Sequence, residues 1–348
     1  LKTRNKSYTN TLCVINHLNE MNVLITGATG FLGSRIVEHL VDENKINHII
    51  ATGRKLSEIN KVTSPNVEYI LGDLKDKDFT KKLFGKGIDI VINCASLSSP
   101  WGSYKSFFDS NITTQKNLIQ ESVNNSVKRF IYISSPSIYF NFKDSLNTQE
   151  NTPLPKRMVN NYAKTKWMAE RMLSESNLPY VILRPRALIG RGDTVIMPRL
   201  IRSYLEGKLK IMGSGNNEVD LTPVSNMVEA VRLSIFTPNY NEAYNISNGE
   251  PVNLWNSINS ILKDIKLPAI KKKIPYPVLY MVAVIMEYKS RLLNGKEPIL
   301  TRYSVGVLAK SFTFDIQKAK EKLNYHPKQT TAQAMDEFVK WSKENNND

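Results

Sequence analysis

The run Gly27-Ala28-Thr29-Gly30-Phe31-Leu32-Gly33 follows directly on the apolar stretch Val23-Leu24-Ile25 and opens an amphipathic stretch from Phe31 to about Val41. Between a strand and a helix, three glycines so spaced have separate duties. The first permits a tight turn, the second lets backbone approach a pyrophosphate, and the third lets helix and strand pack closely. Free N–H groups at the helix start then hold an anion. Glycines also mark ordinary turns, but this setting reads as a dinucleotide phosphate turn. It makes Gly27, Thr29, Gly30, Phe31, Leu32 and Gly33 candidate cofactor contacts.

The rhythm continues down the chain. His48-Ile49-Ile50-Ala51, Val67 to Leu71, Ile88 to Ile92, Phe130 to Ile133 and Tyr180 to Leu183 are short apolar runs separated by helical patterns. Continuous apolar strands alternating with helices predict parallel β-α-β units buried on both faces. The expected fold is α/β, a doubly wound Rossmann-type parallel sheet with a smaller C-terminal substrate-binding lobe. Residues 21–185 form the dinucleotide domain in this reading and 186–348 the lobe, with 244–247 returning to the sheet. Residues 1–20 read as a leader outside the core.

Composition narrows the class. The 348 residues are 41% hydrophobic and 23% charged, which excludes a disordered chain. Two cysteines and four scattered histidines support neither a disulfide scaffold nor a metal cluster, and point to a reducing, cytoplasmic setting. The longest apolar run, Val278 to Met286, is too short to span a bilayer. A net charge of +15 suits acidic ligands or surfaces, or reflects a Lys-rich background. No recognition motif for nucleic acid accompanies it.

The second strand ends Ala51-Thr52-Gly53-Arg54-Lys55, with two cations where an acid would favour NAD. Arg54 suits a 2′-phosphate, so NADP is expected ahead of NAD; the plainer alternative is a solvated surface arginine. Gly72-Asp73-Leu74 closes the third strand, where a carboxylate can accept the adenine amino group. Asn93-Cys94-Ala95-Ser96 ends the fourth beside the cofactor, with Cys94 a small buried residue rather than a nucleophile.

Tyr162 and Lys166 stand four residues apart in a helical pattern, on one face and a turn apart. A free phenol has a pKa near ~10, and an adjacent ammonium lowers it toward the working range of an acid–base catalyst. The same spacing also arises in surface helices with no chemical role. Ser135, in Ser134-Ser135-Pro136-Ser137, falls at the carboxyl end of the fifth strand, where such sheets bind ligands, and can hydrogen-bond a substrate oxygen. No histidine lies near it in sequence, which leaves a serine-hydrolase triad unsupported.

Taken together, Thr26-Gly27-x-x-Gly30-Phe31-Leu32-Gly33, Gly72-Asp73-Leu74, Ser134-Ser135, Tyr162-x-x-x-Lys166 and Arg184-Pro185 resemble the extended short-chain dehydrogenase/reductases. The likeness extends from Met21 to Trp341. It implies that Tyr162 is the general acid/base, Lys166 its pKa tuner and ribose anchor, and Ser135 the substrate hydrogen-bond donor. It further implies that Asn111 supports the lysine and a water, that Pro185 borders the cofactor, and that a homodimer forms. The plainer alternative for Asn111, a helix N-cap, loses ground once the other motifs are present.

Two branches of that family are separated by the segment Glu218-Val219-Asp220-Leu221-Thr222-Pro223. Nucleotide-sugar epimerases and dehydratases place an arginine before this Asp to hold a diphosphate. Valine cannot do so. The segment, with Arg186 to Asp193 and Tyr244 to Pro251, resembles instead the branch of 3β-hydroxysteroid dehydrogenases, sterol-4α-carboxylate 3-dehydrogenases and 2-alkyl-3-oxoalkanoate reductases. The expected activity is therefore hydride transfer to or from a secondary alcohol or ketone of an apolar small molecule. An epimerase or dehydratase, or a non-catalytic NAD(P) sensor, are the alternatives. Ile274 to Met286 reads as core or as the wall of an apolar pocket. The cations around it, across residues 271–296, also fit peripheral contact with a membrane. Trp101 either faces the substrate or anchors the two halves of the fold.

Overall fold

A computed structural model describes residues 20–293 and 295–345; the leader proposed for residues 1–20 lies, but for Glu20, outside the described residues. At the centre is a seven-stranded parallel sheet. Its strands are β1 (Met21–Thr26), β2 (Ile46–Gly53), β3 (Val67–Leu71), β4 (Ile90–Asn93), β5 (Arg129–Ile133), β6 (Tyr180–Pro185) and β7 (Glu242–Ile246). In space they run β7-β6-β5-β4-β1-β2-β3, so the winding reverses between β1 and β4 and opens a crevice at their carboxyl ends. Val23, Leu24 and Ile25 have no exposed surface. Val23 and Ile25 enter the core on one face while Leu24 enters the core on the other, the alternation expected of a strand covered on both sides.

The helices α1 (Phe31–Leu40), α2 (Lys77–Phe84), α3 (Tyr104–Phe107), α4 (Thr114–Asn124) and α5 (Asn161–Ser174) cover the sheet. Between α3 and α4 the backbone passes through a π-helical segment, Phe108–Thr113. Helix α5 starts where the Asn160 side chain accepts the Ala163 N–H at 2.8 Å, a side-chain N-cap. It is tied to β6 by Arg184, whose guanidinium grips the buried Glu170 carboxylate at 2.9 and 2.5 Å.

Beyond Pro185 lie α6 (Ile196–Leu205), α7 (Val224–Phe236), α8 (Leu254–Asp264), α9 (Tyr276–Leu293), α10 (Arg302–Ala309), α11 (Gln317–Leu323) and α12 (Thr331–Asn345). Helix α7 contributes Met227, Val228 and Val231 to the core of the sheet, and β7 pairs with β6, Tyr244 opposite Leu183. Residues 224–246 are thus part of the sheet body. A second, four-stranded sheet runs in the order Val252–Asn253, Glu218–Val219, Phe312–Phe314, Ser145–Thr148. A separate core around Trp255, Leu262, Leu279 and Val305 packs α8, α9 and α10 together.

Candidate active site

At the phosphate turn Gly27 has φ +64°, and a Cβ there would lie 2.9 Å from the Ala95 nitrogen. A Cβ on Gly33 would stand 2.2 Å from the Gly27 oxygen. Both positions therefore demand glycine, for backbone conformation in the first case and for close packing in the second. Gly30 caps α1 with no side-chain hydrogen bond, and the first turn of α1 holds no acid. The N–H groups at that end remain available to an anion, which fits the pyrophosphate of a dinucleotide. Thr29 borders this turn, its carbonyl accepting from the Asn60 side chain at 3.0 Å, and Ala95 is held to it by the Thr26 and Asn93 side chains. Leu74 is buried beneath the crevice and Pro185 ends β6.

Arg54 is exposed at the end of β2 and acts electrostatically on Asp73 at the end of β3. Partial burial works to raise the Asp73 pKa. The Lys75 amide and ammonium, aided by Arg54, outweigh it and hold the carboxyl below its ordinary range. Cys94 is half-buried and desolvation pushes its thiol up to about 12, so it is inert as a nucleophile at neutral pH.

The structure brings Tyr162, Lys166 and Ser135 to the carboxyl end of β5. Ser98 and Ser135 both lie beside the Tyr162 phenol and act on it electrostatically. Ser135 also caps the short turn after β5, its Oγ accepting the Ser137 N–H at 3.2 Å. The expectation that Lys166 lowers the phenol pKa is not met in this geometry. Burial pushes Tyr162 up to about 12, only partly countered by the two serines. The amine points instead to the Ile133 carbonyl at 2.7 Å and lies 4.8 Å from the Tyr132 ring centre, against 5.9 Å from that of Tyr162. Burial also depresses Lys166 itself to about 8, with Cys94 and Glu170 working against the shift.

Asn111 lies inside the π-helical segment, so the N-cap reading gives way to a cross-link. Its Oδ1 accepts the Leu97 N–H at 2.7 Å, and its Nδ2 donates to Thr165 Oγ1 at 3.0 Å. It therefore joins the loop after β4 to α5, and its bond goes to the residue beside Lys166 rather than to the lysine. A widened helical turn of this kind commonly marks a functional site.

Four residues of the surroundings were not singled out by motif. Ser98, in the loop after β4, acts electrostatically on the phenol. The Nδ2 of Asn160, the N-cap of α5, is buried without a partner, and Asn160 lines a cavity of about 510 Å³. Tyr303, on α10, lines that cavity and interacts with Tyr162. Arg186, just past β6, interacts with Tyr303 and with Asp220, and its guanidinium stacks 5.3 Å from the Phe312 ring centre. The Arg186 Nε is buried without a hydrogen-bond partner. Asp220, desolvated, is raised to about 6 despite its bond from Phe314 N–H and the nearby Ser247 and Arg186. The Trp101 ring borders the cavity while its Nε1 donates to the Gly295 carbonyl at 2.9 Å. Val219 is buried in the second sheet, opposite Val252.

A phosphate turn at the sheet's reversal point and a tyrosine–lysine–serine group beside it define a dinucleotide-dependent enzyme of the Rossmann class. Residues 23–247 match the model of the NAD dependent epimerase/dehydratase family, and the chain belongs to that family. It is 32% identical over 321 residues to a 2-alkyl-3-oxoalkanoate reductase of Shewanella oneidensis, covering 87% of this chain and 82% of that protein. It is 29% identical over 332 residues to 3beta-hydroxysteroid-dehydrogenase/decarboxylase isoform 1 of Arabidopsis thaliana, covering 87% and 75%. Among solved structures it resembles the Bordetella bronchiseptica enzyme WbmH in complex with NAD+, with a TM-score of 0.75 at 19% identity, over 94% and 99% of the two chains. That last likeness speaks for the fold.

Proposed function

We propose that this enzyme reduces the ketone of an amphipathic 3-oxo acid, with NADPH ahead of NADH as its partner. The observation that carries the substrate class is Arg186. A guanidinium whose buried Nε lacks a hydrogen bond, which interacts with Asp220 but forms no ion pair with it, and which stands beside Tyr303, is left able to take a further acid. A substrate carboxylate one carbon removed from the ketone is such an acid, and the cavity bordered by Trp101, Phe107 and Val159 accepts its alkyl part. The likeness to the Shewanella reductase supports the same class. Buried Val219, in place of an arginine, leaves a nucleotide-sugar diphosphate without its anchor.

When bound, the dinucleotide supplies hydride from C4 of its nicotinamide. The protein's own part is positional and protic. Tyr162, protonated throughout the neutral range, gives its phenolic proton to the carbonyl oxygen as that oxygen gains charge. Ser135 and Ser98 stand beside the phenol, and in this reading the Ser135 hydroxyl donates to the same substrate oxygen. Lys166, anchored on Ile133, stands by to stabilise the phenolate left behind and to hold the ribose.

The test follows NADPH absorbance with a 2-alkyl-3-oxo acid, its methyl ester and a neutral 3-ketosteroid. Preference for the free acid, lost selectively in Arg186→Met, supports the reading. Equal turnover of acid and ester by both proteins contradicts it.

A further inference from the structure

Helix α9 has two apolar faces, and only one of them is covered. Leu279 and Ala283 pack into the core shared with α8 and α10. On the far side Val278 is 53% exposed, Met281 60%, Ile285 63% and Leu292 67%. At 3.6 residues per turn the exposed apolar positions of α9 fall within an arc of about 140°, roughly opposite the buried one. Burying such a face against a partner is favourable by on the order of 1.5–3 kcal/mol per large side chain. Soluble surfaces rarely leave so continuous a stripe uncovered.

Charge selects the partner. Between residues 271 and 299 there are six cations, Lys271, Lys272, Lys273, Lys289, Arg291 and Lys296, and two carboxylates, Glu287 and Glu297. Both carboxylates are spoken for: Glu287 is buried and paired with Arg302, and Glu297 pairs with Arg199. An apolar stripe bracketed by cations, with its carboxylates neutralised, complements an interface of acyl chains and anionic headgroups. No helix among the described residues is long and apolar enough to cross a membrane, so the contact is parallel to the surface.

The same helix walls the cavity. Glu287 and Arg291 of α9, and Gly295 beyond it, line the 510 Å³ space together with Trp101 and Tyr303, and the Arg291 guanidinium lies 5.5 Å from the Trp101 ring centre. We propose that the outward face of α9 seats the protein on an anionic phospholipid surface, so that an amphipathic substrate passes from the bilayer into the cavity without crossing water. The delivery step rests on the proposed substrate class; the docking does not.

The full chain is floated with vesicles of phosphatidylcholine alone and of phosphatidylcholine containing about one third phosphatidylglycerol. Recovery with the anionic vesicles only is expected. The double variant Met281→Glu/Ile285→Glu should lower that recovery by about tenfold or more, and Lys271→Glu/Lys272→Glu should abolish the preference for anionic lipid. All four side chains are solvent-facing, so circular dichroism and turnover of a short, water-soluble 3-oxo acid should match the parent. No flotation of the parent, or equal flotation of the double variant, overturns the docking. So does a parent dimer that the double variant dissociates, since the stripe then covers a second copy. Flotation without turnover of any 3-oxo acid leaves the docking standing and removes the substrate class.

Discussion

The Nδ2 of Asn111 donates to Thr165 Oγ1 across 3.0 Å, joining the π-helical turn to helix α5 between Tyr162 and Lys166. With its other end it takes the Leu97 N–H, so one side chain sets the spacing between the loop after β4 and helix α5. Asn111→Leu keeps the volume and removes both bonds, leaving the Leu97 N–H without its acceptor. A loss of about 2 kcal/mol of stability is expected. A larger fall in kcat than in NADPH affinity should accompany it, because the phenol moves while the phosphate turn does not. Urea unfolding and steady-state kinetics read the two effects.

Lys166 carries a stability cost for its role. Its folded pKa is depressed from 10.5 to about 8 by burial. Below pH 8 the folded chain bears the full penalty of a buried charge; the penalty shrinks as pH rises toward 10.5, where the unfolded lysine also loses its proton. The shift corresponds to roughly 3 kcal/mol, from which the lost bond to Ile133 and the contact with Tyr132 subtract. Lys166→Met should therefore raise the melting temperature at pH 7, by an amount that disappears near pH 10.5, while abolishing turnover. Thermal unfolding across that range measures it, and a variant less stable than the parent at pH 7 would contradict the assignment.

Glu170 and Arg184 form a buried pair, 2% and 7% exposed, that fastens α5 to β6, and Tyr139 accepts a further bond from the arginine. Arg184 is held above its ordinary pKa: desolvation opposes this, and Glu170 overcomes it. Removing one partner strands the other charge in the interior. Glu170→Gln should cost about 3 kcal/mol or more in urea unfolding, with activity lost in step with folded protein rather than ahead of it.

Arg54 stands exposed at the crevice, close enough to Asp73 to lower its pKa. If it receives a 2′-phosphate, Arg54→Ala should weaken NADPH binding by about 10- to 100-fold and leave NADH nearly unchanged. Fluorescence titration with both nucleotides decides this, and an equal change for the two contradicts an NADP role.

The parallel sheet was legible because strands buried on both faces must be apolar without alternation, as Val23-Leu24-Ile25 and Phe130 to Ile133 are. The glycine turn and the Tyr162–Lys166 spacing were legible because each is a local constraint of backbone or helix geometry. What local patterns do not encode is which distant residues meet. Arg186 and Tyr303 are far apart in sequence and become neighbours only through the packing of α10. The π-helical turn leaves no period that separates it from an α-helix, so a cap stood as the plainer alternative for Asn111 and its bond to Thr165 was not foreseen. Burial depth was equally hidden, and it reverses the expected direction of the Tyr162 shift. For α9, composition announced apolar residues; only the fold shows that half of them remain uncovered.

The central claim is that the Tyr162 phenol is the proton donor. Tyr162→Phe keeps the ring and its packing 6.5 Å from Phe107 while removing the oxygen. NADPH affinity should stay within about twofold of the parent, and turnover of a 3-oxo acid should fall by about 10²–10⁴. Parent-level turnover in a protein that still binds NADPH would contradict the account.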